Sequence, residues 1–360
     1  MQISLKSAAF RARSLRAVRP LAILAVLSTL LILYRGSQRN HELNPITTIT
    51  GPTMGTRYSV KLVQLPRGVS LEQLQAGIDR RLETVNDQMS TYRPHSELSR
   101  FNRHTGTGWF DVSAATARVV SEALRVSELS GGAFDVTVGP LVNHWKFGPE
   151  KGTVQIPSDH ELVALKKRVG YRMIEVRDSP PALRKQSLAV SVDLSAIAKG
   201  FAVDQISEFL ETMGVSGYLV EIGGEIRTQG TKADGKRWIV GIEEPVAQQR
   251  RIRKEVALSG RAMATSGDYR NFVEIDGKRF SHIIDPRTGW PVEYRLGSVS
   301  VVADDCMLAD ALATTLMVLG PEEGYHFAVE QDLAALLMIR SDEGFVEKAT
   351  PAFARLFAVR

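Results

Sequence analysis

The sequence predicts an α+β protein, with mixed or antiparallel sheets and flanking helices behind an N-terminal membrane segment. Three observations predict it. Apolar residues recur at spacings of three and four in separated stretches, the mark of amphipathic helices. Between the third and fourth of these stretches runs a long strand-rich tract broken by hairpin-type turns, with few crossover helices, which favours α+β over a parallel α/β sheet. Near the N-terminus, an apolar run follows a cluster of basic residues, the pattern of a secretory signal or signal anchor.

The N-terminal region comes first. Residues 1–40 contain Lys6, Arg11, Arg13, Arg16, Arg19, Arg35 and Arg39 and no acid, so removing those seven charges from the net +5 leaves −2 for the rest. The folded part is slightly acidic, and nucleic-acid binding, which needs basic residues clustered on the domain, is not expected. Residues 1–20 read as a basic cytoplasmic segment, 21–34 as the apolar stretch, 35–46 as a polar tether and 47–360 as one domain. The stretch Leu21 to Tyr34 is short for a membrane helix, which needs about 20 apolar residues. No small-x-small cleavage site follows it, so an uncleaved anchor is favoured over a cleaved signal. The leading Lys/Arg excess keeps the N-terminus inside and places the domain outside the cytoplasm, periplasmic or otherwise extracytoplasmic, at the inner (cell) membrane as an expectation. Cys306 is the only cysteine, which excludes an intramolecular disulfide and a lipid-bearing N-terminal cysteine; it reads as a small core residue.

Within the domain, Leu71, Leu74, Ile78, Leu82, Val85 and Met89 mark a first helix, with Ser70 as N-cap. Residues 114–129 form a second, stopped by Gly131-Gly132. A third begins near Ser195, with Ile197, Phe201, Ile206, Phe209 and Met213 on one face, and a fourth covers Leu308 to Leu319. The strand-rich tract comprises Tyr218 to Thr228, Arg237 to Glu243, Phe272 to Ile275, Phe280 to Ile284 and Gly297 to Val302. Asp234-Gly235 and Asp276-Gly277 supply turns among these runs.

Four segments carry chemistry. Asp310 and Thr314 stand four apart on a helix and so share a face; a carboxylate and a hydroxyl are hard oxygen donors that suit Mg²⁺ better than zinc, though a helix N-terminal Asp and a Thr that merely packs explain the pair by itself more simply. Asp193-Leu-Ser-Ala-Ile-Ala-Lys-Gly200 follows an apolar strand, Leu188 to Val192, and opens a helix whose lysine can reach a phosphate or a ring carbonyl, though capping plus a surface lysine explains it too. Gly131 to Pro140 offers glycines beside an aromatic and an acid, or simply a helix stop followed by a strand. Ser281-His-Ile-Ile-Asp-Pro-Arg-Thr-Gly289 puts a histidine at the start of a strand, before an Asp-Pro turn. Neither a phosphate-binding P-loop nor a Gly-x-Gly-x-x-Gly after a strand is present, so the standard nucleotide folds are not supported.

Taken together and in order, these segments resemble the FAD:protein FMN transferases, the ApbE family. The resemblance runs from about Ile49 to Pro321. It rests on Met54-Gly-Thr56, Met89-Ser-Thr-Tyr92 with Ser96-Glu-Leu-Ser-Arg-Phe-Asn102, Gly132 to Pro140, Asp193 to Gly200, Gly223-Gly-Glu-Ile226, Ala264-Thr-Ser-Gly-Asp268, Ser281 to Gly289 and Ala309-Asp-Ala-Leu-Ala-Thr314. It implies a cleft for FAD as substrate, with Mg²⁺ as cofactor on the pyrophosphate, and transfer of FMN to a Thr or Ser hydroxyl of an acceptor protein with release of AMP. Carried over by motif, Met54, Tyr92, Ala133, Phe134, Asp135, Asp193, Lys199 and Ile284 would contact FAD. The Ala196 carbonyl, Asp310 and Thr314 would hold the metal. The partners implied are acceptor proteins of membrane or extracytoplasmic redox systems. His282, which titrates near neutrality, is the candidate general base, against Asp268 or Asp285. Hydrolysis of FAD to FMN and AMP, or flavin carriage without catalysis, are the rival activities. The chain contains no acceptor-like Thr-Gly-Ala-Thr, so it is not expected to flavinylate itself.

Overall fold

The computed structural model describes residues 46–150, 152–246, 251–269, 271–293 and 295–358. The basic segment, the apolar stretch and nearly all of the tether lie outside the described residues. Among the described residues no helix is long and apolar enough to cross a membrane. The strands are β1 (Thr47–Thr53), β2 (Thr56–Leu62), β3 (Phe110–Asp111), β4 (Ile174–Asp178), β5 (Pro181–Lys185), β6 (Tyr218–Ile222), β7 (Glu225–Gln229), β8 (Trp238–Glu243), β9 (Ile252–Leu258), β10 (Ala262–Gly267), β11 (Phe272–Ile275), β12 (Lys278–Ser281), β13 (Leu296–Ala303), β14 (Ala334–Ser341) and β15 (Gly344–Ala349). The helices are α1 (Leu71–Met89), α2 (Glu97–Arg103), α3 (Ala114–Leu129), α4 (Gly139–His144), α5 (Asp159–Lys166), α6 (Ala198–Thr212), α7 (Cys306–Glu330) and α8 (Pro351–Phe357).

Eight strands form one sheet in the order β1-β2-β6-β7-β10-β13-β14-β15, and every neighbouring pair is antiparallel. Side chains alternate across a strand. In β6, Tyr218, Val220 and Ile222 pack under the helices, whereas Leu219 faces the other way into a second core. Helices α1, α6 and α7 cover the first face. The hairpin β8–β9 and α8 cover the second with Trp238, Val240, Val256 and Phe353. A third, smaller cluster gathers Leu141, Trp145, Phe280 and Ile284, with Trp145 stacked on Phe280 at 5.3 Å.

The four expected helices form. Ser70 caps α1 through a complete capping box with Gln73, and α3 spans residues 114–129 as read. The expected end at Leu319 is where α7 breaks: Gly320 has φ 83° and Pro321 starts the second segment. The third helix begins later than expected, at Ala198. The Asp193 carboxylate takes the Ser195 N–H and hydroxyl into a local turn, and Ile197 is non-helical at φ −148°, ψ −27°.

Four strand readings are corrected. Leu188 to Val192 is not a strand: Val192 exchanges its two backbone hydrogen bonds with the Asn102 side-chain amide, at 2.7 and 2.8 Å, rather than with a neighbouring strand. No strand follows Gly131-Gly132; a turn held by the Asp135 carboxylate leads into α4. Tyr218 to Thr228 is two strands, β6 and β7, turned at Gly223 and Gly224, whose φ values of 63° and 114° favour glycine. This run is buried on both sheet faces, so alternation could not reveal the break. Finally, β12 ends at Ser281, so His282 follows a strand rather than starting one.

Candidate active site

A cavity of about 1400 Å³ opens among the β1–β2 turn, α1, the Asp193 loop, α7 and the segment after β12, and all twelve sequence-selected residues line it. Met54 stands in the two-residue turn between β1 and β2, with φ 47° followed by Gly55 at 72°. Both central residues at positive φ is the pattern of a tight hairpin turn. A methionine there is strained, which points to a use for its position. Tyr92 is 58 % exposed at the mouth, its hydroxyl donating to the Phe147 carbonyl at 3.3 Å. Burial, then the Asp193 charge, raises the Tyr92 pKa, so its phenol stays neutral. Ala133 and Phe134 are buried in the wall. Asp135 is also buried, and its carboxylate is spent on Thr137 and Tyr171; it holds the wall in shape. Ile284 lines the cavity from the third core cluster.

The floor lies where α6 meets α7. Gly200 makes that meeting possible, because a Cβ there would sit 2.2 Å from the Cys306 carbonyl oxygen. Cys306 is buried as expected. The Gly200 N–H donates to Asp310 Oδ2 at 3.0 Å, and among the described residues none donates a backbone hydrogen bond to the Ala196 carbonyl, four residues back. Lys199 Nζ donates to Glu225 Oε1 at 2.7 Å and lies 3.7 Å from Asp310 Oδ1. Burial opposes the Lys199 charge, but Asp310 and Glu225 outweigh it and hold the ammonium above the ordinary lysine range. Burial pushes Glu225 up to about 7 against the attraction of Lys199, and its Oε2 is buried with no partner. Thr314, one turn after Asp310, forms no hydrogen bond of the kind that ties the neighbouring Thr315 to the Ala311 carbonyl.

These donors fit Mg²⁺. One carboxylate, one hydroxyl and one free carbonyl converge on a cavity, and a small hard cation held by few protein oxygens takes its remaining ligands from substrate phosphates and water. Among the described residues no group of three or more His, Cys, Asp or Glu that could hold a metal ion is found.

His282 Nδ1 lies 2.9 Å from the Asn271 carbonyl oxygen, which can only accept, so Nδ1 carries the proton and Nε2 is left as an acceptor. Burial lowers the His282 pKa, opposed by the Asn271 hydrogen bond and by Asp268. Both rival bases are occupied. Asp268 is held by Arg340 Nη1 at 3.0 Å, and Asp285 by Arg287 Nη2 at 3.0 Å.

Two contributors carried no assigned role in the sequence reading. Glu225 was visible only as part of Gly223 to Ile226, and its charge had no local partner to betray it. Asn102 closed the Ser96 to Asn102 motif; it acts across 90 residues on Val192, which sets the loop bearing Asp193 and Ala196.

The ApbE family matches residues 54–337. An FAD:protein FMN transferase of Vibrio cholerae serotype O1 is 48 % identical over 305 residues, covering 85 % of this chain and 91 % of that protein. The FAD:protein FMN transferase of Escherichia coli K12 is 38 % identical over 312 residues, covering 86 % and 88 %. Among solved structures, the flavin transferase ApbE of Vibrio cholerae superimposes with a TM-score of 0.80 at 46 % identity, covering 86 % of this chain and 99 % of that one. The apo flavinyl transferase ApbE of Pseudomonas stutzeri gives 0.80 at 38 % identity, covering 88 % and 98 %.

Proposed function

The chain belongs to the ApbE family and is a flavin transferase of the FAD:protein FMN transferase kind, and we propose that it joins FMN from FAD to a Thr or Ser hydroxyl of an acceptor protein, with Mg²⁺, releasing AMP. The observation that carries this reading is the convergence of all twelve motif residues on one cavity. The hydroxyl oxygen attacks the FMN-side phosphorus, the bond from that phosphorus to the bridging oxygen breaks, and AMP departs with the bond's electrons. His282 Nε2 takes the hydroxyl proton. Phosphoryl transfer depends mostly on positioning and charge neutralisation. Lys199, the ammonium at the floor, offers positive charge there, while Met54 and Tyr92 line the same cavity. Asp310, Thr314 and the Ala196 carbonyl would hold Mg²⁺, which neutralises pyrophosphate charge when bound.

The test incubates purified protein with FAD, Mg²⁺ and an extracytoplasmic extract, then reads in-gel flavin fluorescence. A fluorescent acceptor band that survives denaturation and needs Mg²⁺ is expected. Free FMN and AMP produced at the same rate with or without extract, and no labelled band, would sink the transfer reading in favour of hydrolysis.

The same reading places the domain outside the cytoplasm, on an N-terminal anchor, serving acceptors of membrane or extracytoplasmic redox systems. The support is the basic flank, the apolar run and the missing cleavage site. An alkaline phosphatase fusion after Asn44 should be active and membrane-bound; an inactive fusion reverses the orientation.

A further inference from the structure

A second cavity, of about 580 Å³, adjoins the first, and Thr91 and Asp193 line both. Its wall carries Arg103, Lys146 and Arg168. Arg103 donates to the Pro94 carbonyl and Arg168 Nε to the Ala189 carbonyl at 3.4 Å, bonds that leave both charges uncompensated. Among the described residues none of the three is ion-paired. Two carboxylates line the same cavity: Asp193, which accepts from both Ser195 donors, and exposed Glu150, which accepts from Asn143 Nδ2 at 3.2 Å. The three cations outnumber these two carboxylates, an excess of positive charge in a domain that is acidic overall.

Two further observations concern the residues of this wall. Thr91 Oγ1 and Asn143 Oδ1 are buried without a hydrogen-bond partner, and both residues line it. Buried polar groups are nearly always paired, so an orphan asks for a missing partner. Lys146 breaks a backbone rule as well. It follows the last turn of α4 with φ 59°, and the Phe147 N–H reaches back to the Val142 carbonyl at 3.1 Å. That helix ending ordinarily places glycine at the left-handed position. A lysine held there in a strained conformation points to a use for its charge.

We propose that this second cavity takes an acidic segment of the acceptor polypeptide, so that its carboxylates meet Arg103, Lys146 and Arg168 while its hydroxyl reaches the neighbouring flavin cavity. The proposal rests on the transfer reading and deepens it, because transfer needs a second substrate beside FAD. At about 1400 Å³ the first cavity is already larger than the roughly 300–1,000 Å³ usual for a small-molecule site, so a dinucleotide needs no room next door.

The experiment uses the full chain saturated with FAD and Mg²⁺, and two fluorescein-labelled threonine peptides, one carrying glutamates and the other glutamines at the same places. Anisotropy should show the glutamate peptide binding roughly tenfold tighter, as two or three partly exposed ion pairs together supply. The combined Arg103→Glu and Arg168→Glu exchange, at two exposed positions, should abolish that preference while FAD affinity, read by flavin fluorescence, stays unchanged. Lys146→Gly removes the cation and relaxes the backbone, so peptide affinity should fall while thermal stability holds or rises. Equal binding of both peptides, binding of neither, or a preference that survives the charge exchange overturns the proposal. A fall in FAD affinity on charge exchange overturns it as well and gives the cavity to the nucleotide. Failure of the unaltered protein to bind FAD strikes instead at the flavin-transfer reading.

Discussion

Two buried ionic clusters lie between α6 and its neighbours α7 and β7, and they differ in how far their valences are filled. In one, the Asp204 carboxylate accepts the Cys306 and Met307 N–H groups at 2.9–3.0 Å and the Arg227 guanidinium at 2.6 Å. Burial raises the Asp204 pKa, and these hydrogen bonds and Arg227 oppose the rise. It anchors the start of α7, and its protein partners occupy both carboxylate oxygens. In the other, Lys199, Glu225 and Asp310 pair only partly, leaving Glu225 Oε2 without a partner and the Ala196 carbonyl free beside them. A closed cluster holds helices together; an open one retains acceptors for something that arrives later. The histidine region repeats the contrast: Asp268 and Asp285 are closed by arginines, whereas His282 keeps Nε2 open.

Replacing the open groups should remove chemistry, and replacing the closed ones should remove stability. The largest effect is expected at His282. General-base assistance is worth about 10²- to 10⁴-fold, so His282→Ala should lose that much turnover while still binding FAD. Neutral imidazole is the working form, and burial lowers its pKa from the ordinary 6.5. For the unaltered enzyme, kcat/KM should therefore rise with pH through a step below 6.5 that His282→Ala removes. Near-normal turnover by His282→Ala, with the acidic limb intact, would return the base role to an acid.

Next comes Asp310→Asn, which keeps an acceptor for the Gly200 N–H but drops the charge. Loss of one electrostatic stabiliser costs roughly 10²- to 10³-fold, so transfer should fall by that order at limiting Mg²⁺, with little change in melting temperature. Normal turnover at limiting Mg²⁺ would remove Asp310 from the proposed metal site.

Asp204→Ala tests the closed cluster. Breaking a buried pair typically costs about 3–5 kcal/mol; Arg227 keeps 24 % side-chain exposure, so the low end, about 3 kcal/mol, is expected in urea unfolding. The fraction still folded should turn over near normally, and a large loss of turnover without loss of stability would erase the distinction between the clusters. The smallest effect belongs to Thr314→Val, which removes one neutral oxygen. It should raise the Mg²⁺ requirement by about tenfold, one hydrogen-bond-sized contribution, and saturating Mg²⁺ should restore the rate. No change in Mg²⁺ dependence would exclude that hydroxyl as a ligand.

Local pattern determined much of this protein. Helical spacing placed α1, the Gly131-Gly132 stop marked the end of α3, and the ordered motifs selected twelve residues that share one cavity. These features were legible because each depends on neighbours a few residues away: a cap, a turn, a face of one helix. Strand limits were less legible where both faces are buried, as in β6 and β7, because burial on both sides erases the alternation that reveals a strand. The tertiary structure alone decided which polar groups are closed and which are open. Asp310 meets Gly200 across 110 residues, Lys199 meets Glu225 across 26, and Asp268 meets Arg340 across 72. An isolated sequence shows a carboxylate but not its partner, and whether a buried charge is scaffold or chemistry depends on the valences its distant neighbours leave unfilled.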